Sequence, residues 1–202
     1  MITPLCKKSV QAMNYLARKK DGQINKMKAI KLIYFADRYH IRKYGRPVIG
    51  DQYWAMKLGP VASHTLDTAE LNSGLEKDCL QYAKTFISHP KGDVKMLNII
   101  SKDKVDLKVF SQTDIEALET AYKEFGDKDQ FELADISHKY PEWLKHKKEI
   151  EVDKKRRVKM DYLDFFANPR AAGSDIFDLP DEHLELAKNT YLENQEVDFI
   201  LA

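Results

Sequence analysis

Two Asp/His pairs are the side chains in this sequence most able to do chemistry. Asp37 and His40, and again His64 and Asp67, lie three residues apart in stretches with helical periodicity. Residues at i and i+3 share a helix face, so a carboxylate there can hydrogen-bond an imidazole and set its tautomer. Such a pair could serve as a general acid and base, and the four groups together could hold a metal if their helices met. The expectation is structural: Asp37 and His40 tie their helix to the following hairpin or to Tyr53, holding a concave surface in shape. Gly45, Gly50 and Gly59 read as turn and cap glycines, because neither phosphate-cradling loop motif is present. No nucleophile-elbow or Cys/His arrangement occurs either. Cys6 and Cys79 show no metal-ligand spacing and are expected as reduced, partly buried small hydrophobes. The reading is therefore no catalytic residue, no metal and no cofactor.

The elements that must position these residues are mostly helical. Thr3-Pro4 opens a helix that ends near Lys20, and Asn25 caps a second that closes at Tyr44-Gly45. The β-prone residues on either side of Gly50-Asp51, between Arg46 and Met56, read as a hairpin, and Gly59-Pro60 as the start of a third helix reaching Leu71. Phe86-Ile87 and Lys95 to Ile100 flank a turn at His89-Pro90 as strand, turn and strand. Ser111 caps a helix through Phe125, another follows through Ile136, and a last one spans Pro180 to about Glu193. The fold class expected is mainly α with minor β: a compact helical domain with one or two small hairpins over residues 1–145. Residues 146–202 are expected as a charged connector and an acidic, aromatic helical extension packed on or near that domain.

Charge is distributed unevenly along the 202 residues, although the net value is only +1. Residues 1–60 hold 13 Lys and Arg against 3 acidic residues, whereas residues 161–202 hold 2 against 10. Opposite poles suit either an internal contact or two docking surfaces. No stretch has the ~20 apolar residues of a bilayer span, and the amino-terminal residues lack a secretory pattern; a cytoplasmic protein that does not touch membrane is expected. Lys26, Lys28, Lys31, Arg38, Arg42, Lys43 and Arg46 could meet phosphates, but they circle their helix. That pattern favours a solvated face over a nucleic-acid stripe.

The run Lys31-Leu32-Ile33-Tyr34-Phe35-Ala36-Asp37 followed by His40, then Tyr44-Gly45-Arg46-Pro47-Val48, then Tyr53-Trp54-Ala55-Met56-Lys57-Leu58-Gly59-Pro60-Val61, resembles the Panacea domain, the SocA-like and phage-associated GepA-like antitoxin family. Ser137-His138 and Trp143 are similar to the family's downstream motif, so the resemblance covers roughly residues 5–145. It implies a bacterial, prophage-associated antitoxin that binds a cognate toxin encoded by an adjacent gene. It also implies, for some relatives, delivery of the toxin to a protease. The family-motif positions Tyr34, Asp37, His40, Tyr44, Tyr53, Trp54, Gly59, Pro60, His138 and Trp143 are the expected binding residues. The acidic carboxy-terminal segment, with Tyr162, Phe165, Phe166, Ile176, Phe177 and Leu179, is expected either to wrap a basic toxin or to pack on its own core.

Overall fold

The computed structural model describes residues 1–169 and 176–201. Helix α1 (Pro4–Lys19) starts where the Thr3 hydroxyl accepts the Cys6 N–H and Pro4 takes the first turn. A short strand β1 (Gln23–Asn25) leads into α2 (Lys26–Tyr44), capped by the Asn25 side chain and closed by Gly45 in the left-handed region at φ 69°. A Cβ on Gly45 would lie 2.5 Å from the Ala187 carbonyl oxygen, so the turn requires glycine twice over.

Strands β2 (Tyr53–Met56) and β3 (Gly59–Ala62) form the hairpin, with Lys57 and Leu58 as its turn. The turn therefore lies seven residues beyond the expected Gly50-Asp51, and Gly59-Pro60 opens a strand instead of a helix. Pro60 is tolerated because β3 lies at the edge of the sheet β3-β2-β6, where its missing N–H breaks no ladder. Helix α3 (Ser63–Ala69) starts four residues later than expected, and the Asp51 carboxylate accepts the His64 and Thr65 N–H groups at its first turn. Helix α4 (Lys77–Phe86) was not expected, although Cys79, Tyr82, Ala83 and Phe86 carry a helical stripe.

Strands β4 (Ile87–Ser88) and β5 (Asn98–Ser101) pair as expected, and β1 extends them into the antiparallel sheet β1-β5-β4. Capping boxes at Ser111/Asp114 and Asp129/Glu132 start α5 (Gln112–Phe125) and α6 (Gln130–Ser137). Short helices α7 (Pro141–Leu144) and α8 (Lys147–Glu151) follow, then β6 (Val158–Lys159), which pairs with β2. A 3₁₀ turn over Tyr162–Phe166 and helix α9 (Asp181–Leu201) complete the described chain. No described helix is long and apolar enough to cross a membrane. The protein is thus mainly α with minor β.

Helix α2 is the axis of the fold. It packs against α1, α5, α6, α9 and the hairpin, and it is buried along nearly its whole length. Phe35 stacks with Phe125 of α5 and, with Tyr140 and Phe177, forms an aromatic cluster around the helix. Phe165, Phe166 and Phe177 are buried, so these aromatic residues of the carboxy-terminal segment are core.

The cysteines overturn one expectation. Cys6 on α1 and Cys79 on α4 form a disulfide across a sequence separation of 73 residues. Packing of α1 on α4 brings the two Cα atoms to 5.9 Å, a proximity that sequence spacing does not encode. Closing a loop of this length restrains the unfolded chain by about 4 kcal/mol in the chain-entropy relation. Cys6→Ser is accordingly expected to lower unfolding stability by roughly that amount, and reductant should do the same to the parent chain. An unchanged urea midpoint under reductant would show that the bridge contributes nothing.

Candidate functional site

The buried polar groups of α2 form ties to other elements. Asp37 accepts the Ile49 N–H at 2.8 Å and the Tyr53 hydroxyl at 2.9 Å, which fastens α2 to β2. His40 contacts the Arg46 carbonyl through Nδ1 at 2.6 Å and the Thr113 hydroxyl through Nε2 at 3.0 Å. The two side chains share no hydrogen bond, because each is held by a different segment. His64 turns to Thr68 and the Cys79 sulfur, and no three His, Cys, Asp or Glu side chains converge as a metal site among the described residues.

The other motif residues continue this framework. Lys31, buried at 1% exposure, donates to the Pro60 carbonyl at 2.8 Å. A Cβ on Gly59, at φ +90°, would lie 2.2 Å from the Ser137 hydroxyl and 2.6 Å from the Lys31 amine, so glycine is the residue that lets α2, β3 and α6 meet. His138 stacks on Trp143, whose indole N–H donates to the Met56 carbonyl at 3.0 Å. Tyr34 and Arg38 both donate to the Glu142 carboxylate, the arginine at 2.6 and 2.7 Å, and all three are fully buried. The Arg38 guanidinium also lies over the Tyr140 ring at 4.1 Å. Tyr44 is half-buried and donates to Glu116. Sequence reading missed Glu142 and Arg38 as partners, since a contact across 104 residues has no local signal.

Burial moves several of these groups. The Lys31 amine is brought down to about 7, and the Asp37 carboxyl is pushed up to about 7 against the lowering effect of its donors. Burial likewise takes His40 down to about 4. Lys28, Lys31, Arg38 and Arg42 are all buried and committed to internal acceptors. The solvated basic face expected for α2 is therefore absent at these positions, and those cations are closed to phosphates.

The hairpin has two faces. Tyr53 and Ala55 point into the core, whereas Trp54 and Met56 point outward beside Val61 of β3, as strand alternation requires. Outward lies a cavity of about 630 Å³ whose floor is Met27, Ile30, Met56, Leu58, Val61, Leu66 and Ile150. Lys26, Lys57, Lys154, Lys155 and Arg156 also line it, as does Lys31, whose amine is held by the Pro60 carbonyl. A second cavity of about 670 Å³ shares Met56, Val61, Leu66, Lys155 and Arg156 and extends the groove past Trp54 to Arg157. Lys26 pairs with Glu70 and Lys155 with Glu149, but Lys57, Lys154 and Arg156 make no ion pair among the described residues. Arg157 covers the Trp54 ring at 4.4 Å. An aliphatic floor within a cationic rim can bind a protein segment by burying apolar side chains and pairing carboxylates.

A family model described as antitoxin SocA-like, Panacea domain, matches residues 30–144. The chain belongs to that family. No curated protein and no solved structure matches it. The Panacea match runs from within α2 through α7, so it contains the Lys31, Asp37 and His40 ties, the hairpin and the Glu142 contact. Lys154 to Arg157, which close the far side of the groove, lie beyond it.

Two measurements test this framework. Glu142→Gln leaves Arg38 as an uncompensated buried charge and is expected to cost about 3–5 kcal/mol in urea unfolding. A loss under ~1 kcal/mol would mean that the pair is dispensable. For Lys31, the unfolded amine holds its proton up to about 10.5, whereas the folded amine releases it near 7. The unfolded state binds more protons between these values, so stability rises with pH across that window. Lys31→Met should remove this rise, leaving a flatter dependence of the urea midpoint from pH 7 to 10.

Proposed function

We propose that this Panacea domain is an antitoxin that neutralises a toxin protein, encoded by an adjacent gene, by binding it and covering its active surface. Membership of the antitoxin family carries the reading. The groove supports it, because it is an apolar surface with a cationic rim beside the family's hairpin. In this reading the action is steric, without catalysis, metal or cofactor. Residues 1–145 form the binding domain, and residues 146–202 extend it and complete the groove.

The ten motif positions then divide by role. Trp54 touches the toxin; Tyr34, Asp37, Tyr53, Gly59, Pro60, His138 and Trp143 keep the hairpin in position, and His40 and Tyr44 fasten α2 to the Arg46 segment and to α5. Only part of an interface of about 1,200–2,000 Å² would come from the groove itself.

The test is co-expression of the chain with its neighbouring gene product, scoring growth rescue and co-purification together. Rescue with a stable complex and unchanged toxin levels is expected. Falling toxin levels would replace occlusion with delivery to a protease, and a harmless neighbour that does not co-purify would sink the antitoxin reading. Trp54→Ala combined with Met56→Ala should fold as the parent does and lose at least ~10-fold in toxin affinity.

A further inference from the structure

We infer that the groove receives an acidic segment of the toxin, whose apolar side chains enter the Met27, Ile30, Met56 and Leu66 floor and whose carboxylates meet Lys57, Lys154 and Arg156. This rests on the antitoxin reading and adds the chemistry of the partner. Charge complementarity is the argument. Three rim cations are exposed and make no ion pair among the described residues; of the acidic groups nearby, Glu70 and Glu149 are engaged with Lys26 and Lys155, and Asp153, beside Lys154, acts electrostatically on Lys155. Asp67, the acidic lining residue of the second cavity, accepts from the Asn72 side chain and makes no ion pair among the described residues.

The position of the rim matters as much as its sign. Lys154 adopts a left-handed backbone at φ 56°, which a lysine takes at some cost, in the turn that carries Lys154 to Arg157 along the groove. Partner side chains that bury the aliphatic floor bring carboxylates on their flanks within reach of these amines. A nucleic-acid strand fits less well. It needs rings on which bases stack, and the floor is aliphatic. The expectation that an acidic tail wraps a basic toxin loses its apolar anchors, because Phe165, Phe166 and Phe177 are core. Helix α9 of a second copy offers exposed Leu186, Val197 and Ile200 on one face, with Leu192 on another, but Glu193 falls between Leu186 and Val197 on that face. It lacks the continuous apolar stripe that the floor calls for.

The experiment uses the full chain and the purified product of the adjacent gene. Affinity is measured at two salt concentrations for the parent and for the triple variant Lys57→Glu, Lys154→Glu, Arg156→Glu. In parallel, the complex is treated with a carbodiimide, which joins a lysine amine directly to a carboxylate with loss of water. The triple variant should unfold at the parent's midpoint yet bind roughly 100-fold more weakly. Cross-links should run from Lys57 or Lys154 to Asp or Glu residues of the toxin flanking apolar positions. A complex whose affinity changes less than about two-fold in the variant would overturn the inference and leave the antitoxin reading intact. Cross-links from the groove to Glu193 or Glu196 of a second copy would overturn it in favour of self-association. Groove-dependent binding of a single-stranded oligonucleotide would overturn it in favour of nucleic acid. No complex with the neighbour under any condition would remove both readings together.

Discussion

The need to satisfy charged groups inside the protein governs the architecture around α2. A helix surrounded by other elements is ordinarily apolar on every side. Here Lys28, Lys31, Asp37, Arg38, His40 and Arg42 are inside as well. A buried polar or charged group left unpaired is costly, so each of these groups takes a partner outside the helix, His40 as a neutral ring because burial brings it down to about 4. Glu142 answers Arg38, the Gly126 carbonyl answers Lys28, and Tyr53 with the Ile49 amide answers Asp37. Loops and short helices are thereby held where hydrophobic packing alone would leave several arrangements open.

The carboxy-terminal segment is bound in by the same constraint. Arg42 donates to the carbonyls of Phe165, Ala167 and Phe177 and to the Asn168 side chain. The basic first third and the acidic last fifth do meet in the fold, but this central contact is made through backbone carbonyls and not through carboxylates. Lys145 with Asp164, at the surface, is a conventional ion pair between neighbouring elements. With its aromatic rings used as core, the segment closes one side of α2, and the chain just before it supplies Lys154 to Arg157 to the groove.

Holding and presenting are thus separated within one short motif. Along β2, alternate residues serve each purpose: Tyr53 and Ala55 anchor the strand, and Trp54 and Met56 form the outer surface. Gly59 and Pro60 allow the hairpin to sit directly on α2 and α6. A surface built this way is rigid, which limits the ordering cost of binding a partner.

What the sequence by itself determined was local. The Thr3-Pro4 start, the Asn25 cap, the Gly45 stop and the Ser111 capping box act through neighbours within four residues, so their residue types specify them directly. The family motif likewise identified the Panacea domain, and the physical reading of Asp37 and His40 as ties from α2 to the hairpin or Tyr53 included the Asp37–Tyr53 contact. The hairpin was misplaced because Pro60 reads as a helix start unless it is known to lie on a sheet edge. Tertiary structure alone decided that Cys6 meets Cys79, that Glu142 meets Arg38, and that Lys154 to Arg157 face the hairpin. Those contacts join residues about 70 to 100 positions apart, and their formation depends on how helices pack around α2. No local propensity records that arrangement, because the free energy that selects it comes from burial and pairing across the whole core.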